Sequence, residues 1–270
     1  MNRRRVLVFG AASGVVGVGL VAMTVAGAPQ GLAGLQGVVA GVALVVAAVA
    51  SVRLPRVSDR VARIVCLLAL TLMALPFLFS GIHGVHRWIA LGPIQLQPAA
   101  MALPLVAVFA AREPDDRLAA AALLIAGGIA ALQPDLQAAL GVAAVALCMV
   151  VLVRPAKLWW VAVGVSLVMV VISAFGAPLE PVPYVELVLP RAFEAHWGLG
   201  LLVAVAMAAV PLLMVAASPE RRPVQLVLTA LWGALVAGCL AGTFPTPVVG
   251  YGLSWVIGFA LSLGMVARRG

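Results

Sequence analysis

Residues 197–217 read WGLGLLVAVAMAAVPLLMVAA, a stretch with no ionisable side chain anywhere in it. A run of about 20 apolar residues matches the hydrocarbon thickness of a bilayer when it is helical. No water-soluble fold needs such a segment. Working outward between polar or Pro/Gly breaks, the same reading yields ten apolar runs. They cover approximately 6–27, 31–51, 61–80, 98–111, 118–132, 136–153, 158–176, 197–217, 224–242 and 250–267. The fourth and fifth are short, and the pairs Gln97-Pro98 and Gln133-Pro134 flank them. Short spans belong inside a bundle, against protein or a cavity, rather than in open lipid.

Composition agrees. The chain has 270 residues, of which 64% are hydrophobic and 10% charged, with mean hydropathy +1.19. Soluble domains carry about 45–50% apolar and about 25% charged residues, so a soluble enzyme and a disordered chain are both excluded. The expectation is an all-α polytopic membrane protein with about ten transmembrane helices, forming a single transmembrane domain over residues 1–270.

The net charge of +8 would point to nucleic acid only if the basic residues formed one patch. Instead they lie in short clusters between the apolar runs. With the N-terminus inside, every basic residue except Arg87 and Arg191 falls on the cytoplasmic side. This is the positive-inside pattern, and it predicts both termini in the cytoplasm and no nucleic-acid partner. Arg3-Arg4-Arg5 before an apolar run resembles a secretory leader, but the run exceeds the usual ~7–15 residues of a leader's apolar region. Asp59, Glu113, Asp115, Asp116 and Glu220 fall inside among the arginines. Asp135, Glu180, Glu186 and Glu194 fall outside, with all three histidines and both tyrosines. The tryptophans at 88, 159, 160, 197 and 255 read as interface anchors. Cys66, Cys148 and Cys239 sit within apolar runs and read as small buried hydrophobes, with no disulfide framework. The histidines have no metal-ligand spacing beyond His83 and His86, and a zinc site is not expected.

Four polar islands remain, all on the predicted outer side. They are Gly84-Val85-His86-Arg87-Trp88-Ile89-Ala90-Leu91-Gly92 running on to Gln97-Pro98, then Gln133-Pro134-Asp135-Leu136, then residues 178–198, and finally Phe244 to Ser254. Arg87 has the planar fork that suits a phosphate, and reads equally as an interfacial anchor beside Trp88. Asp135, just after a helix-breaking proline, is either functional or the N-cap of the next helix. Glu186 and Glu194 are eight residues apart, so on a continuous helix they would share a face. A carboxylate near a reacting hydroxyl is what general acid–base catalysis requires; the alternative for both is a solvated loop.

Taken together the islands resemble the SEDS family, the FtsW/RodA/SpoVE-type cell-wall glycan polymerases, of which this chain looks like a short divergent member. The family's G-x-x-R-W-I-x-L-G and following Q-P are met by Gly84 to Gly92 and Gln97-Pro98. Its Q-P-D-L is met by Gln133-Pro134-Asp135-Leu136, and its last outer loop, P-L-P-x-V-S-Y-G-G-S, by Pro245 to Ser254. The order and the ten-span plan also agree. The chain departs at Ala99-Ala100, where the family has Ser-Glu, and at Glu186, the best match to the family's catalytic aspartate. The long outer loop before that aspartate is also missing.

The resemblance implies a glycosyltransferase at the outer face of the bacterial cytoplasmic membrane. It would polymerise an undecaprenyl-pyrophosphate-linked disaccharide (lipid II) in division, elongation or shape control, with a class B penicillin-binding protein as partner. Glu186 would be the catalytic base. Arg87, Trp88, Gln97, Gln133, Asp135, Glu194 and Tyr251 would bind substrate, Arg87 holding pyrophosphate. Asp135 would order the cavity or help hold a divalent cation such as Mg²⁺. The alternatives are a catalytically silent scaffold for a partner synthase and a carrier or flippase for a lipid-linked precursor.

Overall fold

The structure, a computed structural model, describes residues 3–53, 57–92, 94–113, 117–153, 157–176, 179–217 and 222–268. The inner-side charges Arg56, Asp115, Asp116, Arg154, Glu220, Arg221 and Arg269, and Pro178 at the start of the third island, lie outside the described residues. The protein is an all-α polytopic membrane protein. Its ten apolar runs all become helices: α1 Arg3–Val25, α2 Gln30–Arg53, α3 Asp59–Ala74, α4 Pro98–Arg112, α5 Arg117–Leu132, α6 Leu136–Val153, α7 Lys157–Ala174, α9 Trp197–Ala217, α10 Arg222–Cys239 and α11 Leu253–Val266. By length and composition five of these can cross a membrane: α1, α2, α3 with the turn after it, α7 and α9.

Three elements interrupt this plan. A short amphipathic helix, α8 (Val188–Ala195), precedes α9. A 3₁₀ turn, Leu75–Leu78, finishes the third run, where Pro76 cannot continue the α-helical hydrogen bonding. A small antiparallel hairpin pairs β1 (Ile89–Leu91) with β2 (Ile94–Leu96), Ile89 opposite Leu96. Gly92, at φ 61°, sits in its turn, in the left-handed region that glycine enters freely.

The chain forms two compact units. The first contains Met1–Leu54, Leu179–Glu220 and Val236–Gly270; the second contains Pro55–Pro178 and Arg221–Leu235. In the first unit α1 packs on α2, α8 and α9, and α11 packs on α2 and α9. Arg4 Nε donates to the carbonyl of Ala216 and Arg5 Nε to that of Ala267, at 2.6 and 2.8 Å. Cationic donors thus cap the negative, carbonyl-bearing ends of α9 and α11. This puts the start of α1 at the same end of the unit as the ends of α9 and α11, as an even number of spans requires. Gly19 lies against the Val248–Val249 backbone, where a Cβ would come 2.7 Å from the Val249 carbonyl oxygen. That close approach lets the 244–252 loop rest on α1.

In the second unit α4 lies between α3, α5 and α6, while α7 covers α5 and α6. Most of α4 is buried, including Pro104 within it, as its short length predicted. Arg63 pairs with Glu113 at 3.2 Å, and Arg112 with Asp59 at 3.3 Å. These pairs hold the start of α3 beside the end of α4, again as the charge pattern requires. Not every tryptophan is an interface anchor. Trp160 and Trp197 are exposed as expected, but Trp159 and Trp255 are fully packed inside the protein. An amphipathic indole satisfies a core position as readily as a headgroup layer.

Candidate functional site

The second unit gathers five of the predicted site residues into one network. Asp135 is completely buried. Its Oδ1 accepts from the Ala138 N–H at 3.0 Å, capping α6, and its Oδ2 accepts from Gln97 Nε2 at 2.9 Å. Gln97 is itself the N-cap residue of α4. The carboxylate therefore joins the starts of two helices and fills the capping role. Gln133 Nε2 donates to the Met73 carbonyl at 2.6 Å. Gln137, the second residue of α6, donates to the Leu235 carbonyl at 2.7 Å.

Arg87, only 6% exposed, donates through Nε to the Gln133 carbonyl at 3.4 Å and through Nη2 to the Pro134 carbonyl. Its guanidinium lies 5.7 Å from the centre of the Trp88 ring. Backbone carbonyls thus occupy the fork expected to grip a phosphate, and Trp88 covers it. No group of three or more His, Cys, Asp or Glu comes together among the described residues. Asp135, with both oxygens accepting hydrogen bonds and no such group around it among the described residues, does not fit a divalent-cation site.

The first unit carries the other cluster. Residues 182–186 form a tight turn in which Glu186 Oε2 accepts from the Val182 N–H at 2.8 Å. Main-chain bonds stitch this turn to the loop before α11: Thr246 N–H to the Val185 carbonyl and Tyr251 N–H to the Tyr184 carbonyl, each at 2.9 Å. Thr246 Oγ1 donates to the Glu186 carbonyl at 3.3 Å. Gly250 lies so close to the Val185 and Thr246 carbonyls that no Cβ would fit. The rings of Tyr184 and Tyr251 meet edge to face, centroids 6.3 Å apart. The Tyr251 hydroxyl is buried with no hydrogen-bond partner among the described residues. Burial, reinforced by Tyr184, pushes its pKa above the ordinary value, so the phenol stays a neutral donor.

Gln36 completes this cluster. Its Nε2 donates to the Gly250 carbonyl at 2.9 Å, and its Oε1 accepts from the Gly252 N–H at 2.7 Å. Sequence reasoning did not single it out, nor Gln137, Thr246 and Tyr184. The signal was present for Gln36, since an uncharged polar residue inside an apolar run must find an internal partner.

Glu186 and Glu194 do not share a helix face. The helix between them begins only at Val188, because Glu186 is held in the preceding turn. Glu194, near the end of α8, pairs with Arg191 at 3.0 Å, both side chains being largely solvent-exposed. Such a pair contributes at most about 1 kcal/mol. His86 Nδ1 lies 2.9 Å from the Phe79 carbonyl oxygen.

No protein-family model and no curated protein sequence matches the chain. Solved structures do. The chain is similar to the rod shape determining protein RodA of Thermus thermophilus, in its unmutated form and in a mutant form. In both cases the identity is 24% and the TM-score 0.67, over 96% of this chain and 94% of that one. It is also similar to a chain from a peptidoglycan synthase complex described for its coordination of polymerization and crosslinking. There the identity is 22% and the TM-score 0.66, over 96% and 95% of the two chains. The chain therefore has the SEDS-like fold that its islands resemble.

Proposed function

We propose that this chain is a SEDS-type peptidoglycan glycosyltransferase of the bacterial cytoplasmic membrane, polymerising lipid II at the outer face beside a class B penicillin-binding protein. The observation that carries this reading is the fold, shared with RodA along almost the whole of both chains, together with the three sequence islands in the family's order. The similar chain from a complex that couples polymerization to crosslinking supports a crosslinking partner.

In this reading Glu186 takes the proton of the acceptor hydroxyl as that oxygen attacks the anomeric carbon and the pyrophosphate-linked lipid leaves. The turn that presents it is fixed on three sides, by the Val182 N–H, by Thr246 and by the main-chain bonds of the Tyr251 loop. A base held in this way loses little orientation at the moment of transfer. The neutral Tyr251 phenol supplies a donor for a sugar or phosphate oxygen. The Asp135 network fixes the starts of α4 and α6 and acts on substrate only through that rigidity. No step needs a metal ligand from Asp135.

The decisive experiment is polymerisation of lipid II by the purified protein, read as glycan chain length on a gel. Product from the native protein and none from Glu186→Gln supports the assignment. Full activity in Glu186→Gln overturns the role of Glu186. A second reading, the silent scaffold, is favoured by one feature: the Arg87 fork is committed to carbonyls rather than open to a phosphate. Absence of product from a folded native protein that still binds a partner transpeptidase would select it. The cytoplasmic placement of both termini has its own test. Glu180→Cys should react with an impermeant thiol reagent in intact cells, and labelling only after lysis would reverse the topology.

A further inference from the structure

Within the first unit α2 and α11 run parallel. Gln36 meets Gly250 and Gly252 at one end, and Ala47 meets Gly264 further along. Small residues keep the helix axes close, and between them lies an open valley of about 460 Å³. This is within the ~300–1,000 Å³ common for small-molecule sites. Ala43, Ala47 and Gly264 line it, with the exposed Val42 and Leu261 at its edges and Arg268 at its end. On α2 it extends from Val38 to Ala50, about 18 Å at ~1.5 Å per residue. That is close to half of a ~30 Å hydrocarbon core. A partner's transmembrane helix would need the full thickness; a single acyl chain of one leaflet needs only this much.

Charge selects the headgroup. Arg268 ends the valley, and the exposed Arg53 ends α2 at the same end of the unit. Arg3, Arg4 and Arg5 at the start of α1 belong to that end too, through the bonds of Arg4 and Arg5 to Ala216 and Ala267. The described carboxylates of this unit, Glu180, Glu186 and Glu194, all precede α9, at the opposite end. Basic pockets between membrane helices attract anionic lipid headgroups. We propose that the valley between α2 and α11 is a binding site for one anionic phospholipid of the arginine-side leaflet, an acyl chain filling the valley and the phosphate held by Arg268 and Arg53. This site is independent of glycan polymerisation.

The test is native mass spectrometry of the protein released from nanodiscs holding equal phosphatidylglycerol and phosphatidylcholine. Thermal melting would verify the fold of each variant. The native protein should retain one phosphatidylglycerol in preference to phosphatidylcholine. Arg53→Ala/Arg268→Ala should lower that preference roughly thirtyfold, the effect of two cationic groups. Ala50→Phe, which fills the half-exposed arginine end of the valley, should lose the retained lipid of either kind. Equal retention of the two lipids by the native protein, or unchanged preference in the arginine variant, would overturn the proposal. So would full retention in Ala50→Phe.

Discussion

The two polar clusters use similar residues to opposite ends. In the second unit Asp135, Gln97, Gln133 and Arg87 are buried, and they hold one another and the backbone. In the first unit Glu186 and Tyr251 sit half-exposed in a backbone frame that other groups supply, the main chain of Tyr184, Val185 and Thr246 and the side chain of Gln36. Polar groups in an apolar medium are stable only when hydrogen-bonded. A cluster whose side chains are spent on one another and on buried backbone is a fastener. One whose frame is supplied by the backbone leaves its side chains for chemistry.

Substitutions in the two clusters should therefore separate stability from activity, and the largest separation falls at Glu186. Glu186→Gln retains size and loses the basic oxygen. Lipid II polymerisation should fall by about 10²–10⁴, the usual contribution of a general base, with the melting temperature in detergent unchanged. A variant that melts early would place Glu186 with the fasteners. Asp135→Ala should do the reverse. It removes the α6 cap and leaves Gln97 without its acceptor, at a cost of about 2–4 kcal/mol. Activity per folded molecule should hold. Asp135→Asn, which can still cap, should recover most of the loss in a denaturant titration. An inactive but stable Asp135→Asn would break the distinction.

Arg87 sharpens it further. Arg87→Lys preserves the charge but not the fork, so the Gln133 and Pro134 carbonyls lose a shared donor. Stability should fall by about 1–3 kcal/mol. Loss of pyrophosphate-lipid binding with stability intact would return Arg87 to the substrate. A similar contrast exists for glycines on α1. Gly19→Ala must push against the Val249 backbone and should cost about 1–3 kcal/mol. Gly14→Ala meets nothing within 4 Å and should be neutral or stabilising by up to ~1 kcal/mol. Equal melting shifts would mean that the 244–252 loop does not rest on α1.

The spans were legible because run length and charge placement are properties of the chain itself. Apolar residues 197–217 become α9 with the same limits, and Arg3, Arg53, Arg112, Arg117 and Lys157 each begin or end a helix. The islands were located but not resolved. Eight residues of amphipathic helix, 188–195, look like loop in so short a window, and the hairpin at 89–96 gives too few residues for alternation to show. Partnership was least legible. Asp135 reads from the sequence as a cap or a functional group, and its hydrogen bonds to Gln97 and Ala138 depend on residues that no local pattern pairs with it. Gln36 went unnoticed because its partners, Gly250 and Gly252, are more than 200 residues away.

The smallest expected effect is also the most discriminating. The Tyr251 hydroxyl is buried with no partner among the described residues, so a fastener role gives it nothing to fasten. Tyr251→Phe removes a polar atom whose burial is uncompensated, and the melting temperature should stay level or rise slightly. If that hydroxyl instead waits for a sugar or phosphate oxygen, the same substitution should raise KM for lipid II a few-fold and leave kcat nearly unchanged. The alkaline limb adds a second readout. Burial and the neighbouring Tyr184 raise the phenol's pKa in the folded state, so the unfolded chain releases this proton first. Stability should then decline as pH rises above about 10, the ordinary tyrosine value. The decline should be shallower in Tyr251→Phe, measured as melting temperature against pH. A lower melting temperature at neutral pH with KM unchanged would move Tyr251 into the frame that holds Glu186 and leave Glu186 as that cluster's reactive side chain.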